Sequence, residues 1–190
     1  MIRISGGSAK GRKVGLKKVF SKKGEAGDLR PTSAKVRQAL FNILRDRVEG
    51  CSFLDLFAGT GAVGIEALSR GAANVTFVDN NSTRVSVIKE LAAKFGFQER
   101  AEVVGDDAVR FLNGTDSAFG IIFVDPPYAS GQTEIVLPLL AGGDCLKEGG
   151  VIVVEHFAGK SPGPSIGDLS LLKTYRYGDT SLSLYQRPNA

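Results

Sequence analysis

The sequence predicts an α/β domain built on a mostly parallel, seven-stranded sheet that an antiparallel carboxyl-terminal hairpin closes. Three observations predict it. From residue 52 onward, short β-branched and aromatic runs alternate with segments of helical periodicity, which is repeated βαβ logic. A glycine-rich stretch, Asp55-Leu56-Phe57-Ala58-Gly59-Thr60-Gly61-Ala62-Val63-Gly64, falls between the first of these strands and its helix, where the backbone must bend sharply. Near the end, Gly178-Asp179-Thr180 separates two strand-like runs, 169–177 and 181–186, and a turn of that composition makes them antiparallel neighbours.

Taken in order, residues 2–4 and 13–19 read as short strands around Gly6-Gly7 and Gly11, a small basic hairpin followed by a loop over 21–29. Residues 1–29 are therefore expected to form an extension to a main domain of 30–190. Arg30-Pro31-Thr32-Ser33 reads as a helix start with Thr32 or Ser33 as cap. Val36, Leu40, Ile43 and Leu44 supply one apolar stripe, and Gly50 ends the segment. The alternation that follows predicts strands at 52–57, 74–78, 101–104, 120–124 and 151–155. Helices are predicted at about 62–70, 82–95, 108–113 and 133–142 between them. Phe41, Phe53 and Phe123 read as core.

At 190 residues and 43% hydrophobic content the chain can bury one sizeable core. No apolar run is long enough to cross a bilayer, and Met1-Ile2-Arg3-Ile4-Ser5 does not resemble a secretory leader, so a cytoplasmic protein without a membrane partner is expected. Cys51 and Cys145 lack metal-ligand or disulfide spacing and read as buried thiols; no metal is expected. The net charge of +4 is unevenly spread. The first fifty residues hold 13 Lys and Arg against 4 Asp and Glu, with Lys10, Arg12, Lys13, Lys17, Lys18, Lys22 and Lys23 in close succession. Such an arm suits nucleic-acid phosphate, the plainer alternative being a solvated tail.

The tetrapeptide Asp125-Pro126-Pro127-Tyr128 follows directly on Gly120-Ile121-Ile122-Phe123-Val124. Proline cannot donate to a sheet ladder, so the strand must stop there, and the four residues come to its carboxyl end, where open α/β sheets bind ligands. A carboxylate, a rigid turn and an aromatic face at that edge suit a flat base with an exocyclic amine. Asp79 and the pair Asp106-Asp107 follow the next two strands. The first can take the hydroxyls of a ribose and the second the amine of an adenine. Gly59, Gly61 and Gly64 also satisfy the dinucleotide pattern GxGxxG, but Asp55 would stand against a pyrophosphate, whereas it suits the ammonium of S-adenosylmethionine. His156, the single histidine, could line the same cleft, yet without a positioned partner it reads better as a surface-exposed strand end.

Several further segments carry a resemblance: Arg3-Ile4-Ser5-Gly6-Gly7 through Gly11-Arg12, Arg30-Pro31-Thr32 with Val36-Arg37, and Leu40-Phe41-Asn42-Ile43-Leu44. Glu66-Ala67-Leu68-Ser69-Arg70-Gly71-Ala72 joins them, together with the glycine turn and the tetrapeptide. On these the chain resembles the bacterial ribosomal RNA small subunit methyltransferase D family, which methylates the exocyclic N2 of one guanine in 16S rRNA. Tyr128 stands where many members carry Phe, and Ser5 where an aliphatic residue is common; either aromatic ring can stack on a base. The resemblance implies a Rossmann-like class I methyltransferase fold and S-adenosyl-L-methionine as methyl donor, with S-adenosyl-L-homocysteine as product. It implies a monomer acting on 16S rRNA, within a small ribosomal subunit particle.

By the same resemblance, Asp125, Pro126, Pro127 and Tyr128 are the expected catalytic residues. The cofactor is expected to contact Asp55, Phe57, Ala58, Gly59, Thr60, Gly61, Gly64, Asp79, Asn80, Asp106, Asp107, Ala108 and Asp125. RNA is assigned to Arg3, Lys10, Arg12, Lys13, Lys17, Lys18, Arg30, Thr32 and Arg37, although Arg30 and Arg37 could equally tie the amino-terminal helix to the sheet. Two rivals stand beside this reading. One is an adenine-N6 or other nucleic-acid amino-methyltransferase, which the same tetrapeptide would serve. The other is an RNA-binding assembly factor without catalysis, against which the intact acidic residues argue.

Overall fold

The structure is a computed structural model that describes residues 2–15, 32–127 and 130–188. The expected hairpin opens it: β1 (Ile2–Arg3) pairs antiparallel with β2 (Lys13–Val14). The predicted loop over 21–29 and most of the second strand lie outside the described residues, as do Lys17, Lys18, Lys22, Lys23 and Arg30. Helix α1 (Ala34–Leu44) starts at Ser33, whose side chain accepts the Val36 amide at 3.1 Å and so satisfies a donor that the first turn leaves unpaired. It ends earlier than Gly50: a 3-10 turn over Arg45–Arg47 follows, and Gly50, at φ +70°, instead leads the chain into the sheet.

The alternation then runs as predicted through β3 (Ser52–Asp55), α2 (Ala62–Ser69), β4 (Asn74–Val78), α3 (Ser82–Phe95) and β5 (Ala101–Val104). It continues with α4 (Ala108–Gly114), β6 (Phe119–Val124), α5 (Gln132–Gly142) and β7 (Leu146–Phe157). A two-residue β8 (Ser165–Ile166) precedes β9 (Leu169–Tyr177) and β10 (Thr180–Gln186). The seven expected strands form one sheet in the order β5-β4-β3-β6-β7-β10-β9, and the short β8 adds an eighth at the edge. β5 to β7 are parallel, while β10 inserts antiparallel between β7 and β9.

Strand periodicity decides which helix covers which face. Phe53, Phe77, Ile121, Phe123 and Val153 point to the side that α1, α2 and α3 cover; Leu54, Val78, Ile122, Val124 and Ile152 point to the side of α4 and α5. Both sets are buried, which is why these strands read as unbroken apolar runs. Phe41, Phe53 and Phe123 are core as predicted. Cys145 is buried and Cys51 partly so, and burial pushes both thiols up to about 11.

The amino-terminal segment belongs to this core. Ile2, Ile4 and Ala9 are buried among the residues that α1 and α2 contribute. Glu66, fully buried on α2, accepts the amide and the hydroxyl of Ser5 at 2.9 and 2.7 Å and pairs with Arg70 Nε at 3.0 Å. The chain then crosses the end of α2, where Ser69 Oγ donates to the Gly6 carbonyl and accepts the Ala9 amide. An ionised carboxylate at zero exposure is tolerable only with such partners.

Among the described residues no helix is long and apolar enough to cross a membrane.

Candidate active site

Five parallel strands end on one side of the sheet, and the order reverses there, β3 running outward to β4 and β5 before the chain returns to β6. The crevice at such a switch point is where ligands bind in this class of sheet. It forms a cleft of about 290 Å³ lined by the ends of β3, β4, β5 and β6. Asp55, Asp79, Asp106, Asp107 and Asp125, read from separate strand ends in the sequence, all line it.

β3 delivers Asp55 into a fully buried position, where its Oδ2 accepts the Gly64 amide from α2 at 3.0 Å. The turn between them is pinned twice: the Ala58 amide donates to the Val78 carbonyl at 2.9 Å, and the Gly59 amide to Asp79 Oδ2 at 2.8 Å. Asp79 also accepts the Asn81 amide through Oδ1 at 2.9 Å and stands 3.6 Å from Arg84. Asp106 pairs with Arg110 at 2.8 Å, and Asp107 caps α4 by accepting the Val109 amide at 2.9 Å. Phe57, Ala58, Thr60, Asn80 and Ala108 line the same cleft.

Two of the expected cofactor glycines do not line the cleft. A Cβ on Gly64 would come 2.2 Å from the Phe77 ring, so this glycine lets α2 lie against β4. Gly61, at φ +73°, starts α2 and would meet Ile88 at 2.9 Å. Both shape the turn from behind.

β6 stops at Val124, where the prolines require it to, and Asp125, Pro126 and Pro127 enter the cleft. The Pro127 carbonyl accepts both the amide and the hydroxyl of Ser130, at 2.9 and 2.7 Å, which turns the chain back toward α5. Tyr128 lies outside the described residues. Asp125 Oδ2 accepts a hydrogen bond from the Thr32 hydroxyl at 2.9 Å. Burial pushes the Asp125 carboxyl up to about 7, against the lowering effect of that bond. Asp55 is likewise raised to about 7, by burial first and then by the charges of Asp125 and Asp79, while the Gly64 amide works the other way. Arg84 is the only base among the described lining residues, so the cleft favours a cationic ligand.

Three positions were not legible as site residues. Thr32, read as a helix cap or RNA contact, leaves the cap to Ser33 and donates to Asp125. Arg84 faces Asp79. Gln132, at the start of α5, lines the cleft with a side-chain oxygen that is buried and has no hydrogen-bond partner among the described residues. None has a local sequence signal, because each depends on a partner supplied by another element.

Other assignments change. His156 is neither a surface strand end nor part of the cleft: it is buried in β7, with Nε2 2.8 Å from Ser183 Oγ and Nδ1 2.9 Å from the Phe157 carbonyl. Arg37, one of the expected RNA contacts, is 5% exposed and donates to the Arg3 carbonyl at 2.8 Å, with Nε 3.5 Å from Glu66. It ties α1 to the amino-terminal strand and to α2, the second of the two roles its sequence left open. Arg12 is exposed, yet it donates to the Lys94 carbonyl at 2.7 Å and lies over the Phe95 ring, closing the end of α3. Arg3, Lys10 and Lys13 are exposed. Among the described residues no group of three or more His, Cys, Asp and Glu could hold a metal ion.

Comparison with known proteins agrees with this arrangement. Residues 2–186 match the family described as Conserved hypothetical protein 95. Ribosomal RNA small subunit methyltransferase D of Escherichia coli K12 is 36% identical over 188 residues, 98% of this chain and 90% of that protein. The protein of the same name from Haemophilus influenzae is 35% identical, over 97% of this chain and 93% of its own length. The solved structure of the Escherichia coli protein yhhF superimposes with a TM-score of 0.82 at 33% identity, covering 98% of this chain and 97% of that one. Matched over residues 2–186 by the family model and 36% identical to such a protein over 98% of its length, the chain belongs to the ribosomal RNA small subunit methyltransferase D family.

Proposed function

We propose that this protein transfers a methyl group from S-adenosyl-L-methionine to the exocyclic N2 amine of a guanine in 16S rRNA, releasing S-adenosyl-L-homocysteine. The observation that carries this reading is the convergence of Asp55, Asp79 and Asp107 with Asp125 in one cleft at the switch point of the sheet. The names of relatives at 35–36% identity over almost the whole chain support ribosomal RNA as the substrate class.

The chemistry of the lining fits this donor. Carboxylates at three strand ends suit, in turn, an ammonium, a ribose diol and an adenine amine, and a nearly base-free cleft suits a sulfonium. When bound, S-adenosylmethionine supplies an electrophilic methyl group. Asp55 would hold the ammonium, Asp79 the ribose hydroxyls and Asp107 the adenine side. The target amine is a weak nucleophile, since its lone pair is delocalised into the ring. Asp125 and the Pro126 carbonyl accept its N–H groups, turn the lone pair toward the methyl and stabilise positive charge as the N–C bond forms and the S–C bond breaks. The proton passes to Asp125 or to water. Tyr128 stacks on a base that has left its own stack.

Guanine brings donors at N1 and N2. Asp125 and the unpaired oxygen of Gln132 are two acceptors in the cleft that such a base can satisfy together, which favours guanine over adenine. The exposed Arg3, Lys10 and Lys13, with the rest of residues 1–29, serve as an RNA-contacting extension to a domain of 30–190. The protein acts as a monomer on a small-subunit particle. Incubation with labelled cofactor and unmodified small subunits, followed by mapping of the label, tests the reading: label on a guanine N2 supports it, and label on an adenine or no transfer refutes it.

A further inference from the structure

Thr32 and Asp125 are 93 positions apart in the chain, yet the Thr32 hydroxyl donates to Asp125 Oδ2 at 2.9 Å. That hydroxyl is not used to cap α1, because Ser33 does so. The surroundings of the carboxylate oppose its charge. Burial does so first; Asp55 from β3, Asp79 from the end of β4, and Asp106 and Asp107 after β5 line the same cleft, and Arg84, the single base among the described lining residues, stands beside Asp79. Against this burial, the side-chain hydrogen bond from Thr32 is what favours the ionised form of Asp125.

We propose that Thr32 is a positioning residue for methyl transfer: its hydroxyl favours the ionised form of the Asp125 carboxylate and fixes its plane so that it accepts from the target amine. This rests on the reading of Asp125 as the acceptor of that amine. A protonated carboxyl would present a donor of its own, and a carboxylate free to rotate would leave the lone pair of the amine unaimed. Thr32 thus acts on the reaction through Asp125 without touching the reacting atoms.

Two variants separate this from a purely structural tie between α1 and the sheet. Thr32→Val keeps the shape and the Ser33 cap but removes the donor; Thr32→Ser keeps the donor. In the full chain labelled with ¹³C at aspartate carboxyls, the Asp125 resonance is identified by its loss in Asp125→Asn. Its titration midpoint is expected to rise by about one pH unit in Thr32→Val and to stay in place in Thr32→Ser. With unmodified small subunits, the acid limb of kcat should move upward by a similar amount in Thr32→Val, lowering kcat at pH 6.5 by about tenfold at most. KM for S-adenosylmethionine should be unchanged, and Thr32→Ser should restore the wild-type profile.

An unmoved Asp125 midpoint in a folded Thr32→Val protein overturns the inference. So does an equal loss of thermal stability in both variants without movement of the titration or the acid limb. If the wild-type protein methylates another amine, or none, the functional reading fails while the carboxyl titration still decides the role of Thr32.

Discussion

Asp79 Oδ2 accepts the backbone amide of Gly59 at 2.8 Å, so the carboxylate at the end of β4 holds the glycine turn that follows β3. One side chain therefore shapes the turn and, on the proposed reading, also takes the ribose hydroxyls. Asp79→Ala should weaken S-adenosylmethionine binding about tenfold or more, since a hydrogen bond to a charged group contributes roughly 1.5–3 kcal/mol. Calorimetry on the folded variant checks it, and unchanged affinity would remove Asp79 from the site.

On the proposed reading, Asp125 contacts the target amine more than the cofactor. Asp125→Ala should keep most cofactor affinity and lose most methyl transfer, whereas Tyr128→Ala should be severe and Tyr128→Phe mild, because base–aromatic stacking is worth roughly 1–3 kcal/mol. Single-turnover transfer to unmodified subunits measures each. Full activity in Asp125→Ala would move the chemistry elsewhere in the cleft.

Asp55 gives the cofactor-free protein a definite pH dependence. Its carboxyl rises from 3.8 to about 7 in the folded state, chiefly through burial. The folded protein then binds more protons than the unfolded chain between these values, so this group's contribution is fully favourable below about pH 4 and declines as pH rises toward 7. Asp55→Asn, which keeps an oxygen for the Gly64 amide, should lose less melting temperature than wild type between pH 5 and pH 8. Parallel melting curves across that range would contradict the assignment.

The basic extension can be tested without unfolding the protein. Lys10→Glu with Lys13→Glu alters two exposed charges and should weaken RNA binding while leaving cofactor affinity intact. The log–log salt slope should fall by roughly 0.7–0.9 for each phosphate that the variant no longer neutralises. Deleting residues 1–23 is a different experiment. It strips Ile2, Ile4 and Ala9 from the core and Ser5 from Glu66, so both RNA and cofactor binding should fall together with the melting temperature. RNA affinity and slope that stay unchanged in the double variant would leave the lysines as a solvated surface.

What the sequence disclosed was local, or repeated at short range. Proline after Val124 stops a strand whatever surrounds it, and glycines between an apolar run and a helix mark a turn, so the strand ends and their carboxylates could be placed in advance. The Thr32–Asp125 bond and the burial of Arg37 against Arg3 and Glu66 join residues far apart in sequence, and no periodicity encodes them. His156 shows the same limit from the other side. Its position at the end of an apolar run suggested solvent, but β10 lies alongside β7 and brings Ser183 to its ring.

The contact between Ser5 and Glu66 imposes an order on biosynthesis. Residues 2–9 are made before the helix they pack on, which follows 61 positions later, and Ile2, Ile4 and Ala9 lack part of their apolar surroundings until α2 is present. On the ribosome, this stretch leaves the exit tunnel without its final neighbours and takes its place only after residue 70 has emerged. Its exposed lysines keep that waiting segment charged and solvated, which disfavours premature pairing with other nascent chains.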